Sequence, residues 1–337
     1  MARGLSKRAV GKGRHRSLFI VVALLLTTIA SIIIAGVVMT ISSSNQLMNL
    51  DKKEIANIPS NIFPSYTQTN FTSFDGHTAL SGWYFTVENP KSTIILVHDV
   101  RKNRLQFDIS TSELLVDMLG EGFNVFLFDQ RNAGDSEGDK TGYGYLEWKD
   151  LVGAIAHVRD ITTTKNVILY GVGNGCSTIL QAAYNLPGKD DYNKSYDSKT
   201  NALLFDRSYI VGMILDSPAK MSDDYIVPFA KNKGSLGWLM QYTVPYAIRI
   251  TTSGANNMNL MSAISQTQIP ICILYGDRDT FIGAGTIGKI VEERERLHPN
   301  TTMSFVFPDA KYTESFESDP AGYRRAIRSF LSTYFYS

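Results

Sequence analysis

Gly171-Val172-Gly173-Asn174-Gly175 is the stretch that decides the fold. Before it, Asn166-Val167-Ile168-Leu169-Tyr170 has the length and branched apolar content of a buried strand. After it, residues 176–185 read as a helix with small residues on its inner face. The glycines leave room for a turn tight enough to join the two directly. Working outward, the apolar runs 93–98, 124–129, 211–215, 271–275 and 303–307 have the continuous character of strands covered on both faces. Helical stretches separate them, clearest at 107–119, 145–158, 286–297 and 319–334. Two strands precede the series, 67–74 and 78–86, joined by the Asp75-Gly76 turn signal of a hairpin. An antiparallel start followed by strand–helix alternation predicts an α/β fold: a mostly parallel, doubly covered sheet.

Two segments interrupt the alternation. Residues 189–206 are polar and charged, and read as a surface excursion after the elbow helix. Residues 217–265 lie between two core strands and mix helical stretches with Trp238, Met240, Tyr242, Pro245 and Tyr246, so they are expected to form a lid lining an apolar pocket.

The 337 residues are 44% hydrophobic and 19% charged, which suits one large domain with an appendage. A formal net charge of +1 gives no overall pull towards nucleic acid, and no nucleic-acid partner is expected. Residues 18–41 carry no charge and are long enough to span a bilayer as a signal-anchor. Arg3, Lys7, Arg8, Lys12, Arg14 and Arg16 crowd the 1–17 tail, whereas Asp51, Lys52, Lys53 and Glu54 cancel on the far side. The positive-inside rule then keeps the N-terminus in the cytoplasm and puts the main domain outside. A cleaved signal peptide is the alternative, although its apolar core is usually shorter. Residues 42–66, with Pro59 and Pro64 and no clear periodicity, read as a stalk, and the folded domain as 67–337.

These pieces resemble the α/β-hydrolase superfamily, in particular membrane-anchored bacterial serine hydrolases related to serine aminopeptidases and acyl esterases. The landmarks fall in order: Ile95-Leu96-Val97-His98 resembles the strand leading to the oxyanion loop, 129–136 the D-x-R-x-x-G-x-S turn, and 171–175 the nucleophile elbow. Leu215-Asp216-Ser217-Pro218 resembles the next strand end, and Gly276-Asp277-Arg278-Asp279 the turn that presents the acid. The resemblance implies Asp279 at the acid position. It puts Gly173 where the nucleophilic serine belongs and, within 308–316, Tyr312 where the base histidine belongs. A phenol, protonated near neutral pH, is a poor base. His15, His77, His157 and His298 lie elsewhere, and the counterpart of His98 is structural. Val100 and Asn174 correspond to the oxyanion-hole N–H donors, but Asp99 replaces the usual glycine, and its carboxylate opposes an oxyanion.

Loss of nucleophile or base in such a triad costs about 10⁶ in kcat, so a pseudoenzyme that binds an acyl or peptide-like ligand, or a partner, is the leading expectation. An esterase or peptidase with an unconventional nucleophile is the second; Cys176 and Ser177 lie past the turn apex, and Ser217 and Ser315 lack an evident base. A structural or interaction protein with a closed pocket is the third. Cys176 and Cys272 read as buried small hydrophobes. No metal-ligand spacing appears and no cofactor is expected. The sequons at Asn70, Asn193 and Asn300 matter only in a glycosylating pathway.

Overall fold

A computed structural model describes residues 12–56, 58–59, 61–188, 203, 205–252 and 256–336, with side chains from residue 16 onward. Most of the excursion expected at 189–206, including the Asn193 sequon, and most of the basic tail lie outside the described residues.

Eight strands form one sheet: β1 (Thr67–Thr72), β2 (Ala79–Phe85), β3 (Thr93–Val97), β4 (Asn124–Phe128), β5 (Val167–Val172), β6 (Ile210–Asp216), β7 (Ile271–Gly276) and β8 (Thr302–Phe307). Their spatial order is β1-β2-β4-β3-β5-β6-β7-β8. Both pairings of β2 are antiparallel, and every pairing from β4 to β8 is parallel. The expected mostly parallel sheet with an antiparallel N-terminal hairpin is therefore present. β3, β4 and β5 are buried along their whole length, which is why they read as unbroken apolar runs rather than alternating ones.

The helices are α1 (Lys12–Met48), α2 (Thr111–Gly120), α3 (Trp148–Ile161), α4 (Asn174–Asn185), α5 (Val227–Lys231), α6 (Gly237–Thr251), α7 (Leu260–Gln266), α8 (Ala284–Leu297), α9 (Ser315–Ser318) and α10 (Pro320–Phe335). Two apolar clusters cover the two sheet faces. One takes residues from α3, α4, α7 and α8; the other takes them from α2 and α10.

α1 is long and apolar enough to cross a membrane, with a mean hydropathy of 2.9 over its most apolar window, none of it buried. It does not stop where the apolar run ends. Residues 42–48 continue the helix, and Leu47 and Met48 enter the core. Beyond it, the segment expected as a free stalk is held to the domain. Asn132 Nδ2 donates to the Leu50 carbonyl (3.0 Å), Asn103 Nδ2 to that of Glu54 (2.9 Å) and Lys52 Nζ to that of Ser136 (2.6 Å). Phe63 is buried, and Tyr66 stacks on Trp83 with centroids 4.4 Å apart.

The lid segment carries α5, α6 and α7. Its aromatics do not line a pocket. Along α6, Met240, Val244 and Ile248 face inward, and Trp238, Tyr242 and Tyr246 are exposed on the other side. Successive members of each set are four residues apart and the sets are offset by two, which places them on opposite faces of a helix.

Candidate functional site

The site gathers at the C-terminal ends of β3, β5, β6, β7 and β8. β5 runs into Gly173, at φ 54° and ψ −123°, and α4 begins at the next residue. A residue other than glycine in that region is strained, which is how a nucleophile elbow holds its side chain. Gly175 lets α4 pack closely, since a Cβ there would collide with the Val97 carbonyl oxygen. The sharp turn is intact; what differs is what sits above it.

A Cβ built on Gly173 would stand 2.5 Å from Asp99 Cγ and Oδ1 and would press on Tyr312 Oη. The space above Gly173 is thus filled by the chain's own groups. Asp99 Oδ1 accepts a 2.7 Å hydrogen bond from the Asn174 backbone N–H and one of 3.1 Å from Tyr312 Oη. The Asn174 N–H, expected from the resemblance as an oxyanion-hole donor, is therefore engaged by an internal carboxylate. Burial pushes the Asp99 carboxyl up to about 6, against the opposing pull of the N–H groups of Asn174 and Val100 and of the Tyr312 hydroxyl. Burial, and after it the Asp99 charge, also raises the Tyr312 phenol well above its ordinary value, so it remains a donor.

Asp279 lies in the turn after β7. Its Oδ1 accepts from the N–H groups of Phe281 (2.8 Å), Ile282 (2.9 Å) and Gly283 (3.3 Å). Its Oδ2 is buried and has no partner among the described residues. A buried carboxylate oxygen left unpaired is costly. Tyr312 does not pair with it. Its ring stacks on Phe281, centroids 4.4 Å apart, and its hydroxyl turns to Asp99. Burial raises the Asp279 carboxyl above its ordinary value.

The other nucleophile candidates are sealed. Cys176 Sγ is buried between the carbonyl oxygens of Gly171 and Asp216, 3.3 Å from each, and burial raises its thiol far above the ordinary range. Ser177 is buried and donates to Ser222. Ser217, at φ 59°, donates to Asp216 Oδ1 (3.0 Å) and accepts the Thr313 N–H. Ser315 is buried beside the same carboxylate. His98 is structural: Nδ1 donates to the Asp99 carbonyl (2.8 Å), Nε2 accepts the Gln130 N–H (3.0 Å), and burial lowers its pKa, keeping it neutral. A cavity of ≈ 20 Å³ opens beside Asp99, Val100 and Asn174, room for about one water. Among the described residues, no group of three or more His, Cys, Asp or Glu side chains is placed to hold a metal ion.

Sequence reasoning missed three supports. The Arg104 guanidinium, fully buried, pairs with Asp129 at 2.5 Å and with Asp135 at 2.9 Å, pinning the 129–136 turn. Arg131 bridges Asp75 (2.8 Å) and Asp150 (2.6 Å). Under the elbow, Tyr323 donates to Asp216 Oδ2 at 2.7 Å while its oxygen lies 2.6 Å from that of Tyr170. Asp129, Arg131 and Asp135 stand in the D-x-R-x-x-G-x-S turn read from the sequence, but their partners, Arg104 in the polar stretch 101–104 among them, are distant in sequence and left no signal.

No protein-family profile matches the chain. The uncharacterized protein YqkD of Bacillus subtilis is 20% identical over 323 residues, covering 91% of this chain and 96% of that protein. The uncharacterized protein YfhR of Salmonella typhimurium is 29% identical over 276 residues, covering 78% and 80%. Among solved structures, an esterase of Pyrococcus furiosus superposes with a TM-score of 0.62 at 19% identity, covering 86% of this chain and 99% of that one. A thermophilic esterase of Thermogutta terrifontis gives 0.53 at 15% identity, covering 81% and 100%. At these identities the likeness establishes the fold, which is that of the α/β-hydrolases.

Proposed function

We propose that this chain is a membrane-anchored α/β-hydrolase-fold pseudoenzyme whose hydrolytic site is closed by its own side chains and which acts through its surface. One observation carries the reading: the Asp99 carboxylate, with Tyr312 against it, takes the Asn174 N–H and fills the space above Gly173. Three elements of acyl transfer are absent together. There is no hydroxyl at the elbow, the group at the base position is a phenol held protonated, and the Asn174 N–H is already engaged by a carboxylate. An unconventional nucleophile finds no support, because Cys176, Ser177, Ser217 and Ser315 are buried in hydrogen bonds of their own. The cavity beside Asp99 favours a protein partner or a structural role over an acyl or peptide ligand, since small-molecule pockets run to several hundred Å³.

The full-length protein in detergent is expected neither to react with a fluorophosphonate probe nor to turn over p-nitrophenyl acetate above background, with an active esterase of the same fold as positive control. Stoichiometric labelling of any serine, or turnover abolished by changing one, would falsify the reading.

A further inference from the structure

α6 carries two apolar stripes, and only one is used by the core. The other consists of Trp238, Tyr242, Tyr246 and Ile250, exposed at 65%, 71%, 58% and 58%. The helix has no acidic residue, and its single cation, Arg249, lies over the Tyr246 ring at 5.5 Å and reaches Asp223 at 3.4 Å. Where this stripe sits is set by α1. Thr40 Oγ1 lies 2.9 Å from Thr243 Oγ1, Ser43 Oγ donates to Met240 Sδ, and Lys233 Nζ donates to Gln46 Oε1. As α1 climbs from Thr40 to Gln46, away from its apolar run, its partners step back from Thr243 to Lys233. The two helices are therefore antiparallel, and α6 descends from Met240 to Thr251 towards the apolar run. Tyr246 and Ile250 lie beyond Thr243, at or below the level of Thr40, where α1 is itself bare and apolar at Val37, Val38 and Ile41.

We propose that α6 is a second membrane contact: its outer face lies in the interfacial layer of the bilayer that α1 crosses, with Ile250 deepest and Trp238 shallowest. This rests on α1 spanning the membrane. The occupant is lipid rather than a protein because the stripe is continuous with the lipid-facing surface of α1, and α1 is one unbroken helix that fixes its height. Trp and Tyr at this level match the aromatic belt of membrane proteins, where an apolar ring and a polar tip meet the headgroup boundary. From Thr243 to Ile250 the helix advances about 10 Å, enough to pass from headgroups into acyl chains. The lid helix is then held against the bilayer, and the domain it covers has a fixed face towards lipid.

The test uses full-length protein in phosphatidylcholine–phosphatidylglycerol vesicles, with an environment-sensitive fluorophore on single introduced cysteines; the native Cys176 and Cys272 are buried. Positions Tyr242→Cys, Tyr246→Cys and Ile250→Cys are compared with Ile29→Cys in the apolar run and Val306→Cys on β8. Lipids brominated in their acyl chains should quench Ile250 about twofold or more, Tyr246 less and Tyr242 least, and leave Val306 unchanged. In the unsubstituted chain, the emission lost on Trp238→Phe should be blue-shifted in vesicles. Quenching at Ile29 with none at Ile250 or Tyr246 overturns the proposal while α1 still spans, and the stripe is then a protein-facing surface. Absence of quenching at Ile29 overturns the anchor and the proposal together.

Discussion

At the scale of single residues, Asp99 decides the site: its carboxylate takes the Asn174 N–H and fills the space above Gly173. The substitution was visible in the sequence as an aspartate where glycine is usual, but its consequence lies in a side-chain direction that no sequence pattern encodes. Its energetics are testable. The folded carboxyl, raised from 3.8 to about 6, keeps a proton that the unfolded chain has lost in that window. The folded state binds more protons there, so stability falls as pH rises from about 4 to 6, a loss of roughly 3 kcal/mol complete above that. Asp99→Asn keeps a carbonyl oxygen for the Asn174 N–H and removes the charge. The variant should be more stable at pH 7 by up to about 3 kcal/mol, and its stability between pH 4 and 6 should fall less steeply by about 1.4 kcal/mol per pH unit. Asp216, pushed up to about 7 by burial, keeps a slope of the same sign in both proteins. Urea titrations at each pH check this; identical slopes would mean Asp99 is not the buried anion described. A second prediction follows from the collision above Gly173. Gly173→Ser alone should cost about 2 kcal/mol or more from overpacking and strain, and Asp99→Gly should recover only the part due to the Asp99 contact, leaving the backbone strain and the Tyr312 contact. With Tyr312→His added, the imidazole is expected to pair with the free Asp279 Oδ2, and weak ester hydrolysis with fluorophosphonate labelling of the new serine is expected in the triple variant and in neither triad single. Asp99→Gly is required because the Asp99 carboxylate occupies the space of the introduced side chain. A folded triple variant without labelling would show that the triad positions no longer converge.

Among the elements, strands and long helices were legible and attachments were not. β5 and its turn were readable because a doubly covered strand leaves a continuous apolar run, and a tight crossing needs glycine. The segment 42–66 was read as a tether because main-chain carbonyls hold much of it, and carbonyls leave no trace in side-chain periodicity. α6 misled for a different reason. Two apolar stripes on opposite faces give hydrophobicity no face to choose, so Trp238 and Tyr242 were assigned inward when they point out. The attachment has a cost if removed. Leu47, Met48 and Phe63 are each nearly or wholly buried, and burial of such side chains is worth about 1.5–3 kcal/mol apiece. A chain starting at residue 67 should therefore be less stable than one starting at 42 by about 5 kcal/mol, much of a typical domain's margin. Equal urea midpoints for the two would show that the segment merely rests on the surface.

For the whole molecule, the question is which way it sits. α1 runs without a break from Lys12 into the core at Met48, so continuous helix rather than a polar tether joins the end of the apolar run to the base of the domain. Orientation then follows from charge on either side of that run. Six Lys or Arg side chains lie between Arg3 and Arg16, immediately before the apolar run, and after it the nearest cations, Lys52 and Lys53, are matched by Asp51 and Glu54 and engaged with the domain at Ser136 and Asp108. Moving the basic segment across the bilayer is the costlier alternative, so the tail is expected in the cytoplasm and the hydrolase fold outside. Protease added to intact spheroplasts should remove an epitope at the C-terminus and spare one at the N-terminus, and both should be lost once the membrane is opened. Replacing Arg3, Lys7, Arg8 and Lys12 with Gln should weaken that asymmetry and yield a mixed population. Protection of the C-terminal epitope in intact spheroplasts would place the domain in the cytoplasm, and charge would then not be what orients the chain.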